Sequence, residues 1–177
     1  MKIASFFRFL STRTLSINPK DMLPAGYNYE LKKSLTYYEF NSEGPKGKIK
    51  KVVVYNFVGT WDKILHFNLG FGDYDTKTGK INDLNVSNNK DRDKILVTVA
   101  NTTLKFTRHF PDCRLLMEGS TPSRTRLYQI YIAKYLAEIK KLFDIQGLVH
   151  NEYWEAFVPG HSYIAFMLIR KNNLNLP

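Results

Sequence analysis

The sequence predicts an α+β fold: a mainly antiparallel sheet with two helices packed on one face, in two layers. Three observations carry that expectation. Alternating runs rich in β-branched and aromatic residues recur in both halves of the chain, as in Ile49–Val58, Ile64–Phe71 and Tyr163–Arg170. Two longer stretches, about Asp91–Phe110 and about Pro122–Phe143, repeat their apolar residues every three or four positions. Finally, 44% hydrophobic residues, with 11 Tyr and 12 Phe among 177, supply enough material for one buried core.

The first twenty-four residues read as a weakly ordered basic extension. Phe6, Phe7, Phe9 and Leu10 mix there with Lys2, Arg8 and Arg13, and the first acid is Asp21. The composition is somewhat like an organellar transit peptide, whereas the long apolar core and cleavage site of a secretory signal are missing. An extended start, with Met22 as functional initiator, is the other reading. Residues 25–172 are expected to form a single α+β domain and residues 173–177 a tail.

Along the domain, residues 22–34 read as a polar lead-in and Tyr37–Phe40 as a short strand. Glu43-Gly44-Pro45-Lys46-Gly47 is a turn, doubly punctuated by Gly and Pro, and Ile49–Val58 returns as the second arm of a hairpin. Gly59-Thr60-Trp61-Asp62 is the next turn. In the third strand, Ile64–Phe71, the period of two puts Leu65, Phe67, Leu69 and Phe71 on the buried face. Asp73–Lys80 is a polar loop, and Ile81–Val86 a further short strand. Ser87-Asn88-Asn89 offers capping side chains before the first helix, whose stripe is Ile95, Val99 and Phe106 with Leu96 and Ala100, and Pro111 ends it. Arg114–Met117 is a strand. The second helix carries Tyr128, Ile132, Tyr135, Leu136, Ile139, Leu142 and Phe143 on its apolar stripe. Gly147–His150, Tyr153–Val158 and Tyr163–Arg170 complete the sheet.

The segment that points to function is Glu118-Gly119-Ser120-Thr121-Pro122-Ser123-Arg124-Thr125-Arg126-Leu127-Tyr128, a strand–loop–helix passage. Thr121 is suited to the N-cap and Pro122 to the first helical position. A helix start presents unpaired N–H groups and partial positive charge. Gly119 permits close backbone approach, Ser120, Thr121 and Ser123 bring hydroxyl donors, and Arg124 and Arg126 bring guanidinium forks matched to phosphate or carboxylate. Cations are disfavoured at that end of a helix, so something negative is expected to offset them. Two readings stand: a bound anion, or pairing with the protein's own Glu118, Asp73 or Asp83. The Gly-x4-Gly-Lys spacing of a Walker loop is absent. A second basic feature, Lys46, Lys48, Lys50 and Lys51, lies at a hairpin near Tyr37, Tyr38 and Tyr55. It is either a backbone-tracking surface for nucleic acid or lysine protection of an edge strand.

Other chemistries find little footing. Cys113 is the one cysteine and reads as a small buried hydrophobe. His66, His109, His150 and His161 are scattered, so no zinc site is expected. A calcium loop starting at Asp73 fails at Lys77, Thr78 and Leu84, where an oxygen ligand, Gly and Glu belong. No Gly-x-Ser-x-Gly elbow is present, no cofactor is implied, and no apolar run is long enough for a transmembrane helix.

Four blocks carry a resemblance to a known family: Phe40–Gly47, Asn68–Asp73, Val86–Asn89 with Asp91, and Glu118–Tyr128. In order and spacing they resemble a small family from Bacteroidota, a domain of unknown function (DUF6934), over residues 35–145. The resemblance implies a bacterial cytosolic protein of this α+β type and supplies no activity.

The net charge of +10 is concentrated before residue 60 and after residue 120. It fits an anionic partner, and equally the solubility of a lysine-rich protein. The leading functional expectation is a small basic cytoplasmic module that binds a phosphate-bearing partner, nucleic acid above all, at the strand–loop–helix site. One alternative is a protein-interaction component of a small bacterial defence or toxin–antitoxin system, with an acidic protein covering the basic ends. The other is an enzyme on a small anionic substrate, with Asp73 or Glu118 as general acid or base.

Overall fold

A computed structural model describes residues 25–32, 34–82, 87–150 and 153–171. The expected extension at residues 1–24, the tail at 173–177, Asp83 and most of the expected strand Ile81–Val86 lie outside these residues.

The fold is α+β, and the described residues form a large, mostly antiparallel sheet of nine strands. In chain order the elements are β1 (Tyr29–Leu31), β2 (Tyr37–Gly44), β3 (Gly47–Trp61), β4 (Ile64–Asp75), β5 (Lys80–Asn82), α1 (Arg92–His109), β6 (Arg114–Met117), α2 (Pro122–Lys134), α3 (Leu136–Leu142), β7 (Phe143–Leu148), β8 (Trp154–Ala156) and β9 (Ala165–Arg170). The strands lie side by side as β1-β2-β3-β4-β6-β9-β7-β8, with β5 on the outer edge of β4, and only the β4–β6 pair is parallel.

The hairpins follow from their turns. Gly44 and Gly47 pair across Pro45-Lys46. The β3–β4 turn is tighter than expected: Asp62 and Lys63, with φ of 51° and 63°, form a two-residue loop, and Gly59–Trp61 belong to β3. Two positive φ values match the twist of the flanking strands. A bulge at Val58, between Phe57 and Gly59, shifts the register near that tip.

Alternation places Tyr38, Phe40, Val53, Tyr55, Phe67 and Leu69 in the core against α1. Tyr55 stacks on Phe106 with ring centroids 4.0 Å apart, and its hydroxyl hydrogen-bonds Thr102 and Thr103 at 2.9 and 3.1 Å. Arg170 of β9 donates to Thr107 of α1 at 3.1 Å.

Among the described residues there are three helices rather than the two the sequence predicts. Tyr135, with φ −111° and ψ 23°, leaves helical dihedrals and separates α2 from α3. The helical stripe also ends one residue earlier than its period predicts, at Leu142. Phe143 is the first residue of β7, because Phe143, Ile145 and Gly147 alternate inward and pair with Arg170, Leu168 and Phe166 of β9. A helical and a strand period overlap at Leu142–Ile145, and pairing with β9 decides between them. The strand β1, missed in the polar lead-in, pairs with β2 at the sheet edge.

Candidate functional site

All four sequence blocks contribute to one cleft of about 800 Å³. Its walls are the end of β4, the loop before α1, the first turns of α1 and the first turns of α2.

The first wall is fixed by Asn89. Its side-chain amide donates to Ser42 Oγ and to the Gly47 carbonyl, both at 3.0 Å, and its Oδ1 accepts from the Lys46 N–H at 2.9 Å. Glycine is required at position 44, because a Cβ there would lie 1.9 Å from the Asn89 carbonyl oxygen. The β2–β3 turn is thereby bolted to the loop leading into α1. Within that loop Asn88 and Lys90 have φ of 48° and 59°. Asparagine tolerates this conformation, whereas for Lys90 it costs about 1 kcal/mol.

Asp91 is the N-cap residue of α1, yet its carboxylate makes no capping bond. It accepts instead from Tyr27 Oη at 2.8 Å and Ser42 Oγ at 2.6 Å. Asp91 thus leaves the first N–H groups of α1, beside the cleft, without a cap from its own side chain. Across from them, Lys51 and Asp73, partners on β3 and β4, form a largely buried ion pair, and Lys51 Nζ also donates to Ser87 Oγ at 2.7 Å. Asp93 accepts from Tyr131 Oη and from Lys134 Nζ, the latter at 3.0 Å, which joins α2 to the first turn of α1. These two donors, Tyr131 foremost, hold the Asp93 carboxyl below its ordinary range.

The electrostatic outcome is uneven. Each carboxylate lining the cleft is engaged: Asp73 by Lys51, Asp91 by Tyr27 and Ser42, Asp93 by Tyr131 and Lys134, and Glu43 by Lys48. Lys90 and Arg92 also line it, and neither makes an ion pair with another of the described residues.

The residues singled out at the start of α2 separate here. Thr121 is the N-cap, its hydroxyl accepting from the Arg124 N–H at 3.3 Å, and Pro122 is the first helical residue. Gly119 packs on the helix itself: its N–H donates to Thr125 Oγ1 at 3.1 Å, and a Cβ would meet the Thr125 nitrogen at 2.3 Å. Ser123, Arg124 and Tyr128 line the cleft, as does Asp73. Ser120, Arg126 and Glu118 are exposed and lie outside its lining. Of the hairpin lysines, Lys48 pairs with Glu43 at 3.2 Å and Lys50 with Glu39 at 2.9 Å, on the sheet face opposite Lys51. Lys46 is exposed at the turn. The strand carrying these lysines is not an edge, since β3 lies between β2 and β4.

Sequence reasoning missed Asn89 as an anchor, Asp91 as an acceptor for Tyr27 and Ser42, and the burial of Lys51. The last had a signal. Lys51 shares the inward phase of Val53 and Tyr55, and faces Asp73 once β3 and β4 are paired.

Next to the polar cleft, between α1 and the α2–α3 pair, lies an apolar cavity of about 140 Å³. The two share Phe71, Leu96, Tyr128 and Tyr131. Deeper in, Val99, Ala100, Ile132, Ile139 and Leu142 line the cavity, and Glu138 is the one charged residue among its lining. Among the described residues no grouping of His, Cys, Asp and Glu is suited to hold a metal ion, and no helix is long and apolar enough to cross a membrane.

Fold and site together define an α+β domain with a polar cleft where two helices begin beside a buried ion pair. Residues 24–171 match the model of a family of unknown function, DUF6934, and the chain belongs to that family. No curated protein and no solved structure matches the chain.

Proposed function

We propose that the cleft binds a phosphate-bearing ligand, held by Arg92 and Lys90 at the start of α1 and by Arg124 from α2. The observation that carries this reading is that Lys90 and Arg92 line the cleft with no ion pair among the described residues, while Asp73 and Asp93 are paired with Lys51 and Lys134 and Asp91 is hydrogen-bonded by Tyr27 and Ser42. The first turn of α1, which the Asp91 side chain does not cap, adds N–H donors and partial positive charge on the same side. Relative to the expectation from sequence, the grip moves from Thr121 and Arg126 toward α1, because the Thr121 hydroxyl caps its own helix and Arg126 lies off the cleft.

A cleft of about 800 Å³ has the size of a small-molecule site. An extended nucleic-acid footprint gains less support, since Lys48, Lys50 and Lys51 each meet a carboxylate. The enzyme reading would rest on Asp73 alone, because Glu118 lies outside the cleft. Calorimetry at low salt with methyl phosphate and with single-stranded oligonucleotides of increasing length tests the proposal. Methyl phosphate is expected to bind and to weaken at least tenfold in Arg92→Ala and Arg124→Ala. No binding, or binding indifferent to both substitutions, removes it. Affinity that climbs with oligonucleotide length returns the nucleic-acid reading.

A protein-interaction role is the second reading. It is favoured by a different region, the exposed apolar tip of the β3–β4 hairpin formed by Phe57, Val58, Trp61 and Leu65.

A further inference from the structure

We infer that the ligand is an amphiphile: a phosphate head in the polar cleft and a short apolar chain or single ring, about six carbons, in the neighbouring cavity. The inference rests on the phosphate reading for its head only. The body is argued from the second cavity, which the polar site does not need.

Three observations carry it. The cavity and the cleft share Phe71, Leu96, Tyr128 and Tyr131, so a group leaving the cleft between α1 and α2 meets apolar surface next. Tyr131 is held toward the cleft side by its hydrogen bond to Asp93, and the Phe71 and Tyr128 rings lie 5.7 Å apart at a tilt of 40°. The shared wall is therefore aromatic on the inside and hydrogen-bonded at the rim. Finally, the pocket is open to solvent and almost wholly apolar, and its volume of about 140 Å³ is that of a site that accepts one benzene-sized guest. A phosphate alone would leave this space unused. A long acyl chain would exceed it.

An alkyl phosphate series from methyl to decyl, titrated calorimetrically into the full chain, tests the inference. Affinity is expected to rise by up to about fourfold per methylene, to level off near six to eight carbons, and to be on the order of a hundredfold higher for hexyl than for methyl phosphate. Ala100→Phe, which fills the cavity without touching the cleft, should flatten that series while methyl phosphate affinity stays within about twofold. Ala100→Leu serves the same purpose if the larger residue lowers the melting temperature too far. Methyl phosphate binding with no gain from chain length overturns the amphiphile and leaves the phosphate reading standing. No phosphate dependence at all, with hexanol binding as well as hexyl phosphate, overturns both. Flotation with vesicles containing phosphatidic acid tells the source of the head apart. Tight hexyl phosphate binding without capture assigns a free phosphomonoester and upholds the short-chain amphiphile. Capture that hexyl phosphate competes away assigns a lipid and overturns the limit of about six carbons.

Discussion

At the base of the β3–β4 hairpin, Lys51 and Asp73 face each other across the ladder, and Lys51 is only 5% exposed. Toward the tip of the same ladder, Phe57 is 58% and Trp61 52% exposed. A charge is buried at one end and large aromatics stand in solvent at the other. Polarity does not set burial here; coverage does. The base lies under the loop that Asn89 anchors and beside the first turn of α1. The helix then follows the ladder through Tyr55 and Phe67, which meet Phe106 at 4.0 and 5.0 Å. It ends at His109, before Pro111, and Phe110 makes its last ring contact with Phe67. Nothing described covers the ladder beyond that point.

The largest expected effect breaks the base. Lys51→Met leaves Asp73 mostly buried with its partner gone, which costs about 3–5 kcal/mol in a urea unfolding series. Adding Asp73→Leu to Lys51→Met is expected to recover most of that loss, because an apolar pair of similar volume carries no desolvation cost. If Lys51→Met alone changes stability by less than about 1 kcal/mol, the pair is not sealed as described.

A smaller effect lies midway along the same sheet face, in Tyr55 of β3 and Tyr38 of the neighbouring β2. The Tyr55 hydroxyl has two threonine partners, whereas the buried Tyr38 hydroxyl has none among the described residues. Tyr55→Phe is expected to cost about 1 kcal/mol at neutral pH, and Tyr38→Phe to be neutral or stabilising. Burial raises the pKa of both phenols, that of Tyr38 to about 12. Each folded-state value thus stands above the unfolded one near 10. Neither phenol makes stability depend on pH below about 10, and above it stability falls, because the unfolded chain ionises first. Unfolding curves at pH 9 and pH 11 for the two variants should show a shallower alkaline decline than wild type. An unchanged decline would place the alkaline transition on other groups.

How legible this was in the sequence depends on the range of the cause. Local chemistry was readable: Thr121 and Pro122 start α2, Pro111 follows the end of α1, and Arg114–Met117 forms a strand with the expected bounds. The period of two placed Phe67 and Leu69 in the core, though Leu65 on the same face is 39% exposed because coverage stops short of it. Partner choice between distant segments was not readable. Nothing near Asp91 says that its carboxylate serves Tyr27 and Ser42 rather than its own helix, and nothing near Phe143 says that β9 will recruit it into a strand. The candidate site was half visible for the same reason. Arg124 could be placed at a helix start from its own neighbourhood, whereas Lys90 and Arg92 join it only once α1 and α2 are set side by side.

The smallest effect belongs to the tip, and it separates stability from association. Phe57 rests edge-on against Phe67 at 5.6 Å and Trp61 against His66 at 4.3 Å, but both keep about half their surface in solvent. The double variant Phe57→Ser, Trp61→Ser removes little buried area, so its unfolding free energy should fall by no more than about 1 kcal/mol. If the tip is an interface, the same variant loses a partner that wild type retains on co-purification from its host, with no matching loss of fold. A drop of 3 kcal/mol or more, measured on the isolated chain, would mean that something within the chain already covers these rings. The contrast between a covered base and a bare tip would then fail. Unchanged stability together with an unchanged set of co-purifying proteins would keep the contrast and remove the tip as a docking surface.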